Sequence, residues 1–150
     1  MINLGIYTPS VADETFSQAM KEIKRCKDSG LIRDASIFYD TMAPITVPIE
    51  CGLFNSTDIW NFSGKLFAVS VDAAVFAAKT VNNIDIYFGY GWGTKNVFAT
   101  LNLVHKHKVK TICKSESLSA DFYRITGTQP LGHTEDLSGL YELMTGTTNE

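Results

Sequence analysis

The sequence predicts an α/β fold: a doubly wound, mostly parallel sheet of six strands with helices on both faces. Three observations lead there. Short apolar runs recur along the chain, each followed by polar or glycine punctuation and then by a segment whose apolar residues fall at helical spacing. Most of these runs are apolar throughout, as in strands buried on both faces. Strands that alternate with helices need crossover connections, which are right-handed and lay the helices over the sheet. No Pro/Gly/Ser-rich linker and no internal repeat divides the 150 residues, so residues 1–150 are expected to form a single α/β domain. A chain of that size buries roughly two thirds of its unfolded surface.

Taken in order, "INLGIYT" (2–8) is the first strand. Phe16, Ala19, Met20, Ile23 and Cys26 mark a helix that Ser29-Gly30 stops. "ASIFYD" (35–40) is the second strand, and Pro44 and Pro48 keep the following "TMAPITVPIE" an extended loop. "CGLFNS" (51–56) is the third strand, with a short helix over 57–62. "KLFAVS" (65–70) is the fourth; it leads to "DAAVFAAKTV" (72–81), a helix apolar enough to be covered on most sides, with Asp72 as its N-cap. "IDIYFGY" (84–90) is the fifth, followed by a helix face of Val97, Phe98, Leu101 and Val104. "VKTICKS" (109–115) is the sixth; the helix after it runs through Leu118, Phe122 and Ile125 to Gly127. A last helix is expected over 135–144, capped by Thr134.

Composition removes several functions. A net charge of −3 and a pI near 5.6 argue against nucleic-acid binding, which needs clustered positive charge. No apolar run approaches the roughly 20 residues of a membrane span. The start "MINLGIYTPS" has no basic n-region, so a cytoplasmic location is expected. The one basic cluster, "HKHKVK" (105–110), falls at the end of a helix, where cations complement the dipole; the alternative is a phosphate-binding patch. Its His-x-His pair has no nearby Cys or carboxylate to complete a shell, so no metal site is expected. Cys26, Cys51 and Cys113 are odd in number, far apart and set in apolar segments, which predicts buried, reduced thiols.

In open sheets of this kind ligands bind beyond the carboxyl ends of the strands, where the strand order reverses. The residues expected to line that edge and bind a ligand are Ser10, Asp40, Asn55, Asp58, Asp72, Tyr90 and Trp92. Ser, Asp and Asn also cap helices and turns, which is the competing role for each of the polar ones. The deepest polar pocket should border at least two of Ser10, Asp40, Asn55, Asp72 and Trp92. "YFGYGWGTK" (87–95) spaces its glycines G-x-G-x-G after the fifth strand, so it fails the dinucleotide fingerprint; Thr94 before Lys95 fails the phosphate-loop pattern. It is expected to be a strand-to-helix turn with Trp92 at the ligand edge. The first turn, "YTPSVAD", has no glycine to let a pyrophosphate approach. There is no G-x-S-x-G elbow, and no residue is nominated as catalytic. No cofactor is expected.

The blocks "GLFNSTDIWNFSGKLFAVSVDAA", "IDIYFGYGW", "KTICKSES" and "GHTEDL" resemble short glycosyltransferase-like proteins encoded by T-even-like marine bacteriophages. The similarity spans about residues 35–140. Those proteins look like the amino-terminal, Rossmann-like half of a two-domain GT-B glycosyltransferase. The matching positions are Asn55, Asp58 to Trp60, Tyr90 to Trp92, and Glu135-Asp136, the last expected to open a final helix. The resemblance implies a sugar or nucleotide-sugar ligand, and, in a phage-encoded chain, a host-cell cytoplasmic location. The chain is too short to hold the second α/β domain that grips the nucleotide-sugar, and glycines 89, 91 and 93 replace part of the expected aromatic-acidic run. Activity would then need a second α/β chain or a homo-oligomer, or be absent. Two other readings stand beside it: a non-enzymatic interaction domain with exposed aromatics, and a flavodoxin-like binder of a phosphorylated ligand through Ser10 and Ser115.

Overall fold

The computed structural model describes residues 2–80, 84–93 and 95–146. Six strands, β1 (Ile2–Ser10), β2 (Ile32–Thr41), β3 (Gly52–Asn55), β4 (Gly64–Ala68), β5 (Ile84–Tyr90) and β6 (Lys110–Cys113), form one sheet in the order β3-β2-β1-β4-β5-β6. Every pairing is parallel. The chain therefore winds outward from β1 to β3, returns to the middle, and winds outward again to β6, the arrangement of a Rossmann-like α/β fold. The reversal lies between β1 and β4.

Alternation along the strands sends two sets of side chains to two cores. On one face Leu4, Ile6, Ile37, Phe67 and Ile112 meet helices α1 (Glu14–Asp28) and α5 (Leu140–Thr145) through Phe16, Ile23, Leu140 and Met144. The extended segment 42–51 packs here too, through Ala43, Ile45 and Val47, and replaces the usual crossover helix between β2 and β3. On the other face Tyr7, Phe38, Leu66, Phe88 and Cys113 meet the 3-10 helix Ser56–Asn61, α2 (Val71–Lys79) and α4 (Glu116–Thr126). Between β5 and β6 the short α3 (Val97–Leu101) widens into a π turn, Asn102–Lys106, whose Leu103 and Val104 join the same core. Each large apolar side chain so buried contributes about 1.5–3 kcal/mol relative to exposure.

Helix α1 carries one buried charge in its apolar stripe. Glu22 is 4% exposed and takes both nitrogens of a forked Arg25 contact, from Nε and Nη2, each at 2.8 Å. Arg25 Nη2 also donates to Glu142 Oε2 at 2.8 Å, and the Tyr141 amide donates to Glu22 Oε2 at 3.3 Å. This polar clamp joins α1 to α5, an element more than a hundred residues later in sequence.

Helix ends follow local chemistry, with two departures from expectation. Gly30 (φ +70°) ends α1 and Gly127 (φ +73°) ends α4, as their positions predict. The cap of α2 is Ser70, whose Oγ accepts the Ala73 amide at 3.2 Å; Asp72 lies in the first turn, where its charge faces the positive end of the helix. The expected helix over 135–144 begins only at Leu140. Leu137 (φ +67°) and Gly139 (φ +75°) both take left-handed backbone, while Asp136 Oδ1 accepts the Ser138 amide and Thr134 Oγ1 donates to the Ser138 carbonyl. These polar side chains fold the segment into a turn. Leu137 is fully buried, which offsets its disfavoured backbone, and Glu135-Asp136 precede the helix without opening it.

The two sheet edges differ. Beside β6, the segment 131–134 runs alongside: the Leu131 amide donates to the Thr111 carbonyl, Cys113 to Gly132, and Thr134 to Cys113. Beyond β3, no further strand pairs among the described residues. No helix among the described residues is long and apolar enough to cross a membrane.

At the start of β4, Gly64 adopts φ +139°, and a Cβ there would stand 2.4 Å from the Asn3 carbonyl oxygen of β1. Gly64→Ala is expected to cost roughly 2–3 kcal/mol, from strain and the displaced strand contact, as a drop in the urea unfolding midpoint.

Candidate carboxyl-edge site

The strand order puts the reversal point at the carboxyl ends of β1 and β4, with the starts of α1 and α2 coming from opposite faces. Tyr7, three residues short of the end of β1, is 3% exposed and needs a partner for its hydroxyl. It finds Asp40 at the end of β2, donating to Oδ1 at 2.7 Å. Ser56, the first residue of the 3-10 helix and itself buried, donates to the same oxygen at 2.6 Å. Two O–H donors thus fix an exposed carboxylate in one orientation. Burial, then the bond to Asp40, push the Tyr7 phenol well above its usual range, with the charge of Asp72 adding to the shift. Tyr7 therefore stays protonated, as a donor.

Of the other expected site residues, Ser10 and Asn55 are engaged in local turns. Ser10 Oγ accepts the Ala12 amide at 3.1 Å; Asn55 Oδ1 accepts the amide and hydroxyl of Thr57. Asp58 and Asp72 are exposed, on the 3-10 helix and the first turn of α2. Tyr90 and Trp92 belong to the end of β5, two strands from β1. Tyr90 is buried edge-on against Phe122, with Lys95 Nζ 5.8 Å from its ring centre. Trp92 is only partly exposed: its indole folds back over Gly89 and lies edge-on to Phe67, ring centres 5.5 Å apart. The turn that carries it does use a left-handed glycine, Gly91 at φ +111°.

A hollow of about 450 Å³ lies beside α1, and one of about 310 Å³ at the amino ends of β4–β6. At the carboxyl edge a hollow of about 240 Å³ is bordered by Tyr90, Lys95, Asn96, Thr100, Asp121 and Arg124. None of these three touches Ser10, Asp40, Asn55, Asp72 or Trp92. At the first turn β1 stays paired with β2 as far as Ser10 and Thr41, and the next residue, Val11, is buried. Asp40 itself is exposed.

Charge is unevenly distributed along this edge. Asp13, Glu14, Asp40, Asp58 and Asp72 follow the ends of β1, β2 and β4, whereas the cations Lys95, Lys114 and Arg124 follow β5 and β6, interspersed there with Glu116 and Asp121. Arg124 pairs with Asp121. Among the described residues no group of three or more His, Cys, Asp or Glu side chains could hold a metal ion.

All three cysteines are free; Cys26 and Cys113 are buried and Cys51 is partly so. Burial pushes the Cys26 thiol up to about 12 and the Cys51 thiol up to about 11, and raises Cys113 as well. No thiol here has the lowered value of a nucleophile. No protein-family model matches the chain, and no curated protein matches it.

Two outcomes follow from this chemistry. Tyr7→Phe should lower unfolding free energy by about 1–2 kcal/mol, because it removes one donor to Asp40 while keeping the ring packed. Thiols whose folded values lie above their ordinary value near 9 stabilise the fold below that pH; the contribution disappears as pH rises from about 9 through 11–12. Denaturation midpoints measured from pH 8 to 11 should fall, and Cys26→Ser and Cys51→Ser together should flatten the slope.

Proposed function

We propose that the chain is a glycosyltransferase-like half domain that binds a sugar, or the sugar part of a nucleotide-sugar, at the carboxyl edge of its sheet. One observation carries the proposal: the Asp40 carboxylate, oriented by the Tyr7 and Ser56 hydroxyls at the end of β2. In dinucleotide-binding folds with this strand order an acidic side chain downstream of the first turn accepts ribose hydroxyls, and a fixed carboxylate is an equally good acceptor for any vicinal diol. Asp72 and Asp58 extend the acceptor surface. Phosphate groups are disfavoured over α1, where Asp13 and Glu14 stand at the helix start and no glycine opens the turn. The phosphates of a nucleotide-sugar would lie toward Lys95 and Arg124 instead. The resemblance to phage glycosyltransferase-like proteins supports the same class. The open shape of the site fits a half that a second α/β chain, or a second copy, completes before any transfer occurs.

A second reading, a protein-interaction domain, is favoured by Phe98 and Trp60, which are 84% and 61% exposed. The flavodoxin-like reading is weakened by Ser10 and Ser115, whose hydroxyls accept the backbone amides of Ala12 and Leu118.

Titration of free sugars, nucleotides and nucleotide-sugars, followed by amide chemical shifts, separates these readings. Sugar-bearing ligands should shift residues around Asp40 and Asp72, and Asp40→Asn should weaken binding at least about tenfold while leaving the fold intact. Equal affinity in Asp40→Asn would rule out the proposed site. Silence toward every ligand, together with self-association abolished by Phe98→Ser, would favour the interaction domain.

A further inference from the structure

The basic stretch 105–110 is only partly explained by its place at a helix end. His105 and Lys106 fall in the last turn of the π segment, where cations offset the exposed carbonyls. Lys108 and Lys110 lie beyond that turn, beside a third lysine from elsewhere in the chain. Lys65, on β4, shares with them the hollow of about 310 Å³ at the amino ends of β4, β5 and β6. Helix capping does not account for Lys65.

We infer that this hollow is an anion site that takes the phosphate of a small phosphorylated compound. Lys65, Lys108 and Lys110 border it with His107, and Asp85 is the sole carboxylate among its lining residues. With His neutral the lining therefore carries two net positive charges (three lysines less one aspartate) in a chain whose net charge is −3. The ammonium of Lys65 is fixed in advance: Nζ donates to the Tyr87 hydroxyl at 2.8 Å and lies 3.5 Å from Asp85 Oδ2. Tyr87 is anchored in turn by donation to the Met144 carbonyl at 2.9 Å. An ammonium has three donors, and these contacts direct two of them.

The opposite wall is equally set. The His107 amide donates to the Asn102 carbonyl at 3.1 Å and the Val109 amide to the Leu103 carbonyl at 2.9 Å, so the loop is tied at both ends to the π turn. Between those ties Lys108 takes φ +54°, a left-handed backbone that favours glycine or asparagine over lysine. A lysine kept there at the cost of strain presents its charge at the rim of the hollow. Ala78, Ile84, Ile86 and Val109 supply an apolar wall, which fits an aromatic or aliphatic body attached to the phosphate. Lysines bind phosphate as point charges, so no backbone cradle is required.

The site lies at the edge of the sheet opposite Asp40 and stands independently of the sugar-binding proposal; the two are read by different amide signals in one spectrum. The probe is phenyl phosphate, with phenol and inorganic phosphate as controls. Phenyl phosphate should shift the amides of residues 65, 85 and 107–110, bind more tightly than either control, and weaken as salt is raised. Lys108→Gly should bind at least about tenfold more weakly at an equal or higher melting temperature, because glycine relieves the left-handed strain while removing the charge. Lys65→Met tests the fixed ammonium in the same way and should also lose about tenfold. Equal affinity in both variants, shifts scattered away from this edge, or tighter binding of phenol than of phenyl phosphate would each overturn the assignment.

Discussion

Through its middle, strand β1 is paired on both edges and covered on both faces. β2 and β4 pair along its two sides, α1 lies over Leu4 and Ile6, and the 3-10 helix and α2 lie over Gly5 and Tyr7. Everything placed next to it must fit at close range. Gly5 shows how tightly: a Cβ there would come within 2.9 Å of both Leu66 and Phe62. The same confinement acts on polarity. A tyrosine at the centre of such a strand can keep its ring buried only if its hydroxyl reaches a partner, and the nearest acceptor is the carboxylate that ends the neighbouring strand. The best-ordered acceptor of the carboxyl edge is thus a by-product of how the middle of the sheet is packed.

Much of this was legible in the sequence. The fifth strand falls at 84–90 both by its apolar run and in the structure, and the parallel architecture follows from runs apolar on both faces. Gly30 and Gly127 mark helix ends because only a left-handed residue finishes those turns cheaply. What could not be read is what depends on contact across the chain. Asp40 was placed at the ligand edge by its position alone, but Tyr7 and Ser56 lie 33 and 16 residues away and look like a core aromatic and a turn serine. A buried hydroxyl on the central strand was the available signal. The final helix was misjudged for a local reason: in "HTEDLSGL" the side chains of Thr134 and Asp136 compete for backbone groups and hold a turn until Leu140.

Charge distinguishes the two ends of the sheet more clearly than shape does. Carboxylates dominate at the carboxyl ends of the central strands, whereas the amino ends of β4–β6 gather lysines around Tyr87. Helices beginning at the carboxyl edge point positive ends toward it, and their first turns carry Glu14, Asp72 and Glu116, which neutralise that field. With those fields offset, the helix starts themselves exert little pull on an anion. The clamp of Glu22, Arg25 and Glu142 is a separate matter: it fastens α5 to α1, and so fixes the carbonyl of Met144 against which Tyr87, and through it Lys65, is set.

The two edges of the sheet are unequally occupied. Segment 131–134 occupies the hydrogen-bonding groups beside β6, so a newcomer finds that flank closed. On the opposite flank no further strand pairs with β3 among the described residues, and at four residues β3 offers an added strand only a few bonds. A second chain that joins by strand addition would therefore do so beyond β3, next to the ends of β2 and β3 and the exposed Phe54 and Trp60. Enlargement of the sheet would leave the lysine-lined end near β6 as it is, while bringing foreign side chains to the rim on which Asp40 sits.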